Sequence, residues 1–404
     1  MSFLSASAPW SFPLRLHRLV WWALALLLLI VALPLLLNWL DEPLEPATEA
    51  WLDYRFPVAL PERNGYLALI SLDAEHERPL QAAAATLAAY RTIAAEQPGW
   101  AGAARYQAVQ EHWLRPLDVA LPSLKFCEAD CYDSLRERSA MLALLRRDHA
   151  ELLQRYRAML ALPEFAEDLP FEDDLPLPRY APAQQLGLLY LSEVVEALEQ
   201  GQVEYAYDLW AAYQGFWRRA AAGSRTMVNL MVASSALGRG QALLAAMLKR
   251  HPASLPQARR LALPLLGGES VRAMLGRSLI GEFRLHANGL DRLLAADTAE
   301  GAESAYPGLE APAEPGLGLG AWLIRRNGTL NLIRRAYERG LAAGSARDVL
   351  ADYRAAWDLL TLGNPLSQLL VCMSDTDYSS FVRRAERVDG EAAALRQWLV
   401  TGRP

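Results

Sequence analysis

The clearest hydrophobic pattern in the chain is an apolar run close to the amino terminus. From Leu19 to Leu40 there are 22 residues without a formal charge, and apart from three tryptophan indoles the only polar side chain among them is Asn38. As a helix this run would be roughly 33 Å long, which is enough to cross a bilayer core of about 30 Å. The tryptophans stand near its two ends, where amphipathic rings favour the headgroup layer. The pattern predicts a transmembrane helix over residues 19–40.

The charges on either side of this run predict its orientation. Arg15 and Arg18 precede it, and acidic residues follow from Asp41 onward. Basic flanks stay in the cytoplasm. We therefore expect a cytoplasmic tail over residues 1–18, a single pass through a bacterial inner membrane, and the bulk of the chain, residues 41–404, in the periplasm.

The alternative for the same run is a long signal peptide that is cut near Ala47 or Ala50. A secretory signal has a shorter apolar core of about 7–15 residues, followed by small residues before the cut. Here the run is longer and ends in Asn-Trp-Leu-Asp at residues 38–41. The length and this ending favour an uncleaved signal-anchor.

The segment after the predicted span is rich in proline and precedes a short apolar stretch. Residues 41–64 contain four prolines, a density that disfavours regular structure. They are predicted to form an extended spacer that lifts the domain off the membrane. The following stretch, Gly65–Ala74, has the character of a short strand, or equally of an extended segment packed on helices.

Helical spacing of apolar residues dominates the rest of a predicted amino-terminal subdomain, residues 65–182. Helices are predicted over Arg78–Gln97 and over Tyr132–Leu162, where apolar residues recur every three to four positions. Glu164–Pro182 holds six acidic residues and four prolines and is predicted to be a loop. Such a charge run is typical of a solvated loop, although it could attract cations or a basic partner.

The predicted carboxyl-terminal subdomain, residues 183–404, consists of paired helices. They are predicted over 183–199, 203–222, 224–250, 255–266, 267–296, 325–344, 346–363 and 391–400. Small residues and aromatics at helical spacing around the turn at Gly201 resemble the helical hairpins of tetratricopeptide-like arrays, although no clean repeat is present. The predicted fold class is therefore all-α, an N-terminal transmembrane helix followed by a multi-helix domain.

Composition narrows the class of protein without naming an activity. Apolar residues make up 52% of the chain, so a large core can be buried. The net charge is −6, which does not suggest a nucleic-acid partner. Phosphate-binding, dinucleotide-binding and serine-nucleophile motifs are absent, and no cofactor is predicted.

Three cysteines fall in two places. Cys127 and Cys131 lie four apart, and Cys372 is distant from both. Since nearby cysteines tend to pair in an oxidising compartment, we predict a Cys127–Cys131 disulfide. Free thiols and redox chemistry are the alternatives, but the spacing is not that of a thioredoxin-like pair. The state of Cys372 stays open.

Two groups of residues are candidates for a site. Aromatic side chains at helical spacing could line a groove for a peptide or glycan, although their spacing favours core packing: Tyr207, Trp210, Tyr213 and Trp217. Glu282 and His286 stand at i and i+4 on one helical face. A zinc site needs further ligands that are not evident, so we predict no metal and interpret this pair as a hydrogen bond or ion pair.

These observations favour a binding or scaffold protein. The anchor, the helical domain and the "NPLSQLL" stretch at residues 364–370 resemble single-pass membrane-anchored helical envelope proteins of proteobacteria, a resemblance that implies no activity. We expect the lipid bilayer as one partner and another cell-envelope component, most simply a protein, as the second. Two alternatives stay open: an envelope hydrolase with a site that the sequence does not reveal, or an accessory subunit of an inner-membrane complex.

Overall fold

The computed structural model describes residues 20–29, 41–96, 103–117, 131–172, 174–296, 324–343 and 378–403. Within these ranges the chain is helical, and its only extended pairings are two isolated bridges, Asn64 with Glu164 and Ala74 with Pro116. The predicted all-α class is therefore confirmed.

The helices of the amino-terminal part are short except for one. They are α1 Val20–Leu29, α2 Pro46–Leu52, α3 Gly65–Ile70, α4 Pro79–Glu96, α5 Ala103–Trp113, α6 Cys131–Glu137, α7 Ser139–Asp148 and α8 Ala150–Leu160. The helices of the carboxyl-terminal part are mostly longer. They are α9 Ala181–Glu199, α10 Val203–Gly223, α11 Met227–Arg250, α12 Leu255–Leu266, α13 Val271–Ala296, α14 Arg326–Ala343 and α15 Ser379–Thr401.

Helix α10 forms the centre of the core. It packs against α9, α11 and α12, and its largest side chains, Trp210, Phe216 and Trp217, are buried. A sharp turn between α9 and α10 is possible because Gly201 has a positive φ of 77°, which an L side chain rarely adopts. One continuous apolar cluster runs from Tyr66 to Leu399. Side chains of both predicted subdomains therefore share it, and the division at residue 182 stays a prediction.

Two helices bear on the predicted membrane span. Helix α1 covers ten of its residues, and its large apolar side chains are exposed, Trp22 to 74% and Leu28 to 72%. Residues 19 and 30–40 lie outside the described residues. Among the described helices only α11 is long and apolar enough to cross a bilayer, but 61% of its apolar window is buried inside the domain, as in the core helix of a globular fold.

The segment that follows the predicted span is not the extended spacer that its prolines suggest. Its middle forms α2, which begins at Pro46, and proline is well tolerated in a first helical turn. Thr48 is buried, and its hydroxyl donates to Asn331 Oδ1 at 2.7 Å. Trp51 packs edge-on against Phe283, with ring centroids 5.4 Å apart. This segment is part of the domain.

The stretch after it is a helix and not a strand. Asn64 caps α3 by accepting from the Tyr66 N–H at 3.0 Å, and the same side chain bonds both backbone groups of Ala166. Nearly all of α3 is buried, so its apolar run shows no clear period. Gly65 is required here because a Cβ would lie 2.7 Å from the Phe216 ring.

The single helix predicted over Tyr132–Leu162 is three helices, α6, α7 and α8. The chain leaves regular helical geometry at Arg138 and at His149, where ψ is 13° and 29°. The apolar period continues across both breaks, so spacing alone could not reveal them.

Candidate functional site

The acidic loop, residues 164–180, is bound to the domain by arginines and is not a freely solvated loop. Ion pairs join it to three different parts of the chain: Glu164 with Arg63, Asp168 with Arg91, and Glu172 and Asp174 with Arg292. The Arg292 group is buried, since all three side chains are less than 9% exposed. Glu164, Asp168, Glu172 and Asp174 are therefore each paired with an arginine of the same chain, and only the Arg292 group is shielded from solvent.

Glu167 of the acidic loop caps the amino terminus of α11. Its Oε2 accepts from the backbone N–H groups of Arg225 at 2.6 Å and Thr226 at 2.8 Å, and its Oε1 accepts from the Thr226 hydroxyl at 2.7 Å. The helix dipole favours a negative charge at this end. Burial raises the pKa of the Glu167 carboxyl, although these hydrogen bonds oppose the shift.

Glu282 of α13 accepts a hydrogen bond from the next backbone N–H group at the same helix terminus. Its Oε1 accepts from the Met227 N–H at 2.6 Å. Burial raises the pKa of Glu282, and the nearby charge of Glu167 raises it further. Two carboxylates from distant parts of the chain therefore meet at one helix end.

The His286 ring lies apart from the amino terminus of α11 that Glu282 binds. Its Nδ1 lies 2.8 Å from the backbone carbonyl of Glu282 and 3.0 Å from the Tyr337 hydroxyl. The two residues share a helical face, as their spacing predicts, and the His286 ring contacts the backbone carbonyl of Glu282, while the Glu282 carboxylate accepts from Met227. Within the described ranges, no group of three or more His, Cys, Asp or Glu side chains is placed to hold a metal ion.

Arginines hold the aromatic part of the acidic loop. The guanidinium carbons of Arg225 and Arg284 lie 4.0 and 4.1 Å from the centroid of the Phe171 ring. Phe171 also contacts Phe56, with centroids 5.9 Å apart. These cation–π contacts gain strength from burial, because the guanidinium of Arg225 is shielded from water.

A cleft of about 230 Å³ opens between the acidic loop, the start of α11 and the middle of α13. Most of its wall consists of apolar residues and prolines. Glu167 and Glu282, which bind the amino terminus of α11, lie beside Arg225 in this wall. The lining residues are Glu167, Leu169, Pro170, Phe171, Glu172, Leu175, Pro176, Leu177, Pro178, Tyr180, Arg225, Thr226, Val228, Gly281, Glu282 and Leu285. A cleft with these walls can hold an apolar group of a ligand and bind a polar or charged group beside it.

The aromatic residues predicted to line a groove lie elsewhere. Tyr207, Trp210, Tyr213 and Trp217 are at most 2% exposed, so they form the core of α10 and cannot contact a ligand in this conformation. The Trp210 indole donates to the Gly240 carbonyl at 2.7 Å. The spacing that suggested a groove is the spacing of a core face.

Of the two cysteines in the predicted bridge, the structure describes only one. Cys131 is buried at the start of α6, and Cys127 lies outside the described residues. The Cys127–Cys131 bridge stays a prediction, and Cys372 also lies outside the described residues.

Sequence reasoning missed Glu167, Phe171 and Arg225. Two of them stand in a run whose acids and prolines are typical of a solvated loop. The available signal is local: Thr226 is a good helix N-cap residue at the start of an apolar helix, and a second acid often supports such a cap. Which acid supplies it depends on the tertiary fold.

No protein-family model, no curated protein and no solved structure matches the chain significantly.

Proposed function

We propose that the chain is a membrane-anchored helical binding protein of the cell envelope, and that the cleft beside the acidic loop is its ligand site. The observation that carries the proposal is the construction of the cleft. An open, largely apolar wall is held rigidly by buried ion pairs, and charged groups lie at one end of it. Rigid walls with few polar groups are typical of binding sites.

The occupant that fits best is a segment of another envelope protein that presents a basic side chain beside an apolar one. Glu172 is paired with Arg292, so the carboxylates of Glu167 and Glu282 and the guanidinium of Arg225 set the charge of the cleft. Two carboxylates beside one guanidinium are complementary to a cation. Leu177 at the rim is 71% exposed and Val228 is 43% exposed, which leaves apolar surface for the neighbouring side chain.

The anchor belongs to the same proposal. Helix α1 presents a wholly apolar and exposed surface, which is stable in a bilayer and costly in water. With Arg15 and Arg18 on the cytoplasmic side, the domain faces the periplasm of the inner membrane, where the Cys127–Cys131 bridge can form. The hairpins α9–α10 and α10–α11 are, in this proposal, tetratricopeptide-like units adapted to binding.

Photo-crosslinking tests the ligand site. A photoreactive amino acid replaces Leu177 in the full chain in cells, and a matched chain carries it at Val400, which is 63% exposed at the end of α15. We expect one defined protein adduct from position 177, none from position 400, and loss of the adduct when Val228→Trp fills the cleft. Equal adducts from both positions, or an adduct that survives the filled cleft, would contradict the ligand site.

A second candidate function is hydrolysis of an envelope polymer. The observation in its favour is the pair of carboxylates, Glu167 and Glu282, whose pKa values burial raises, as in many general acids. Both carboxylates are already engaged by backbone N–H groups, which favours the binding role. Cleavage of isolated envelope polymer by the purified chain, abolished by Glu282→Gln, would establish hydrolysis instead.

A further inference from the structure

The segment that leaves the predicted membrane span is bound along one helix of the domain. We call residues 41–56 the juxtamembrane segment. The carboxylate of Asp41 accepts from the backbone N–H groups of Asn327 at 2.7 Å and Gly328 at 3.1 Å, and so caps the amino terminus of α14. Asp41 and Asn327 are 286 residues apart in the chain. Their contact therefore reports tertiary structure and not sequence proximity.

Further contacts follow the same helix in order. Asn331 Oδ1 accepts from the Glu45 N–H at 3.0 Å and from the Thr48 hydroxyl at 2.7 Å. Buried Arg334 pairs with Glu45 and donates its Nε to the Thr48 hydroxyl at 3.0 Å. One turn further, Trp51 stacks on Tyr337, with ring centroids 6.4 Å apart. The juxtamembrane segment and α14 are thus joined from Asp41 onward.

This register fixes where the domain stands relative to the membrane. The predicted span ends at residue 40, and one residue of chain covers at most about 3.6 Å. The headgroup layer on each side of the hydrocarbon is several ångströms thick, since it brings a core of about 30 Å to a total of about 40–45 Å. Because Asp41 bonds directly to the first turn of α14, that turn cannot lie far beyond this layer.

We propose that Asp41 and the first turn of α14 sit in the lipid headgroup layer of the membrane that holds the anchor. The occupant of this surface is the bilayer itself. The domain is then fixed against the membrane and does not swing on a tether. This inference rests on the proposed anchor, and it adds that the domain has a defined membrane face.

Depth-dependent fluorescence quenching tests the inference. A fluorescent amino acid replaces Asn327 in the full chain, which is reconstituted into phosphatidylcholine and phosphatidylglycerol vesicles that carry a headgroup nitroxide quencher. The matched chain carries it at Gln202, an exposed position in the α9–α10 turn. We expect position 327 to be quenched at least about twofold more strongly than position 202, because the quencher acts only within the headgroup layer. Equal quenching at both positions would overturn the proposal.

Variants of the juxtamembrane segment show whether the contacts cause the placement. The double variant D41A/E45A removes the cap of α14 and the ion pairs of Glu45, and we expect the extra quenching at position 327 to be lost. The double variant E49A/E62A makes the same change in charge at exposed positions of the same region, and we expect it to retain the quenching. If E49A/E62A loses it equally, the assigned contacts are wrong.

Sedimentation separates this inference from the proposed anchor. If the full chain leaves the vesicles in alkaline carbonate, the anchor itself is absent and the proposed function fails with it. If the chain stays with the vesicles and position 327 is not quenched, the anchor holds and the membrane face alone is overturned.

Discussion

Three glycines give a sharp test of how closely α13 approaches the start of α11. At Gly281, a Cβ would lie 1.9 Å from the carbonyl oxygen of Arg225, whereas ordinary contact begins near 3.4 Å. The Gly281→Ala variant must therefore move one backbone segment by 1.5 Å, the difference between these two distances. Gly276 on the same helix has its nearest neighbour at 3.9 Å, and Gly390 on α15 has none within 4 Å.

The expected changes in the free energy of unfolding follow from these distances. Replacing glycine by alanine within a helix stabilises by about 0.5–1 kcal/mol when the methyl group is free of contacts, so G276A and G390A should each gain that amount. In G281A the same gain is opposed by overpacking, which costs about 1–3 kcal/mol. The shift also strains the bonds from the Arg225 and Thr226 N–H groups to Glu167, at about 1–2 kcal/mol more. We expect a net loss of about 1–4 kcal/mol.

Urea unfolding of the full chain in detergent measures these differences through tryptophan fluorescence and far-ultraviolet circular dichroism. The free energy of unfolding at zero urea is compared among wild type, G281A, G276A and G390A, with the slope against urea concentration checked for constancy. If G281A is as stable as G276A, α13 does not touch the Arg225 carbonyl. The packing of the cleft described above would then be incorrect.

Two further predictions concern the charged groups around the cleft. Burial raises the pKa of Glu282, so this carboxyl favours folding below about pH 4.5 and loses that contribution as the pH rises through its raised folded value. The Glu282→Gln variant should therefore gain stability relative to wild type as the pH rises above about 4.5, and a difference independent of pH would contradict the assignment. Arg292→Met should destabilise by about 3–5 kcal/mol because it removes the cation from a buried group of charges, whereas Arg91→Met at the more exposed pair should cost less than about 1 kcal/mol. Similar losses in the two arginine variants, compared by urea unfolding, would show that the Arg292 group is not buried.

Much of the helical core was predictable from the sequence, because its signals are local. The bounds of α9, α10 and α12 agree with the apolar period to within two residues, and Gly201 and His251-Pro252 mark helix ends. The strand-like interpretation of Gly65–Ala74 was wrong because α3 is buried on nearly all sides, which removes the period that distinguishes a helix from a strand.

The candidate site was not predictable, because its parts become meaningful only through distant partners. Glu167 lies in a stretch whose composition indicates solvent exposure, and it is buried because the start of α11 supplies three hydrogen-bond donors. The prolines of residues 41–64 likewise suggest an extended spacer. They do not reveal that Asn331 and Arg334 bind this segment to α14. In both cases an arginine or a helix end far away in the chain decides the conformation.

The juxtamembrane segment and the acidic loop, whose conformations the sequence did not predict, meet at Arg284. Arg284 of α13 donates to the Tyr54 carbonyl of the juxtamembrane segment at 3.0 Å, and its guanidinium also covers Phe171 of the acidic loop. Phe56 extends the contact by packing on the same Phe171 ring. Since Phe171 lines the cleft and the juxtamembrane segment leads directly to the predicted span, one arginine joins the proposed ligand site to the proposed membrane attachment. Under both proposals, a partner in the cleft is therefore held beside the bilayer at a distance set by packed side chains. A substitution at Arg284 would then disturb binding and membrane placement together.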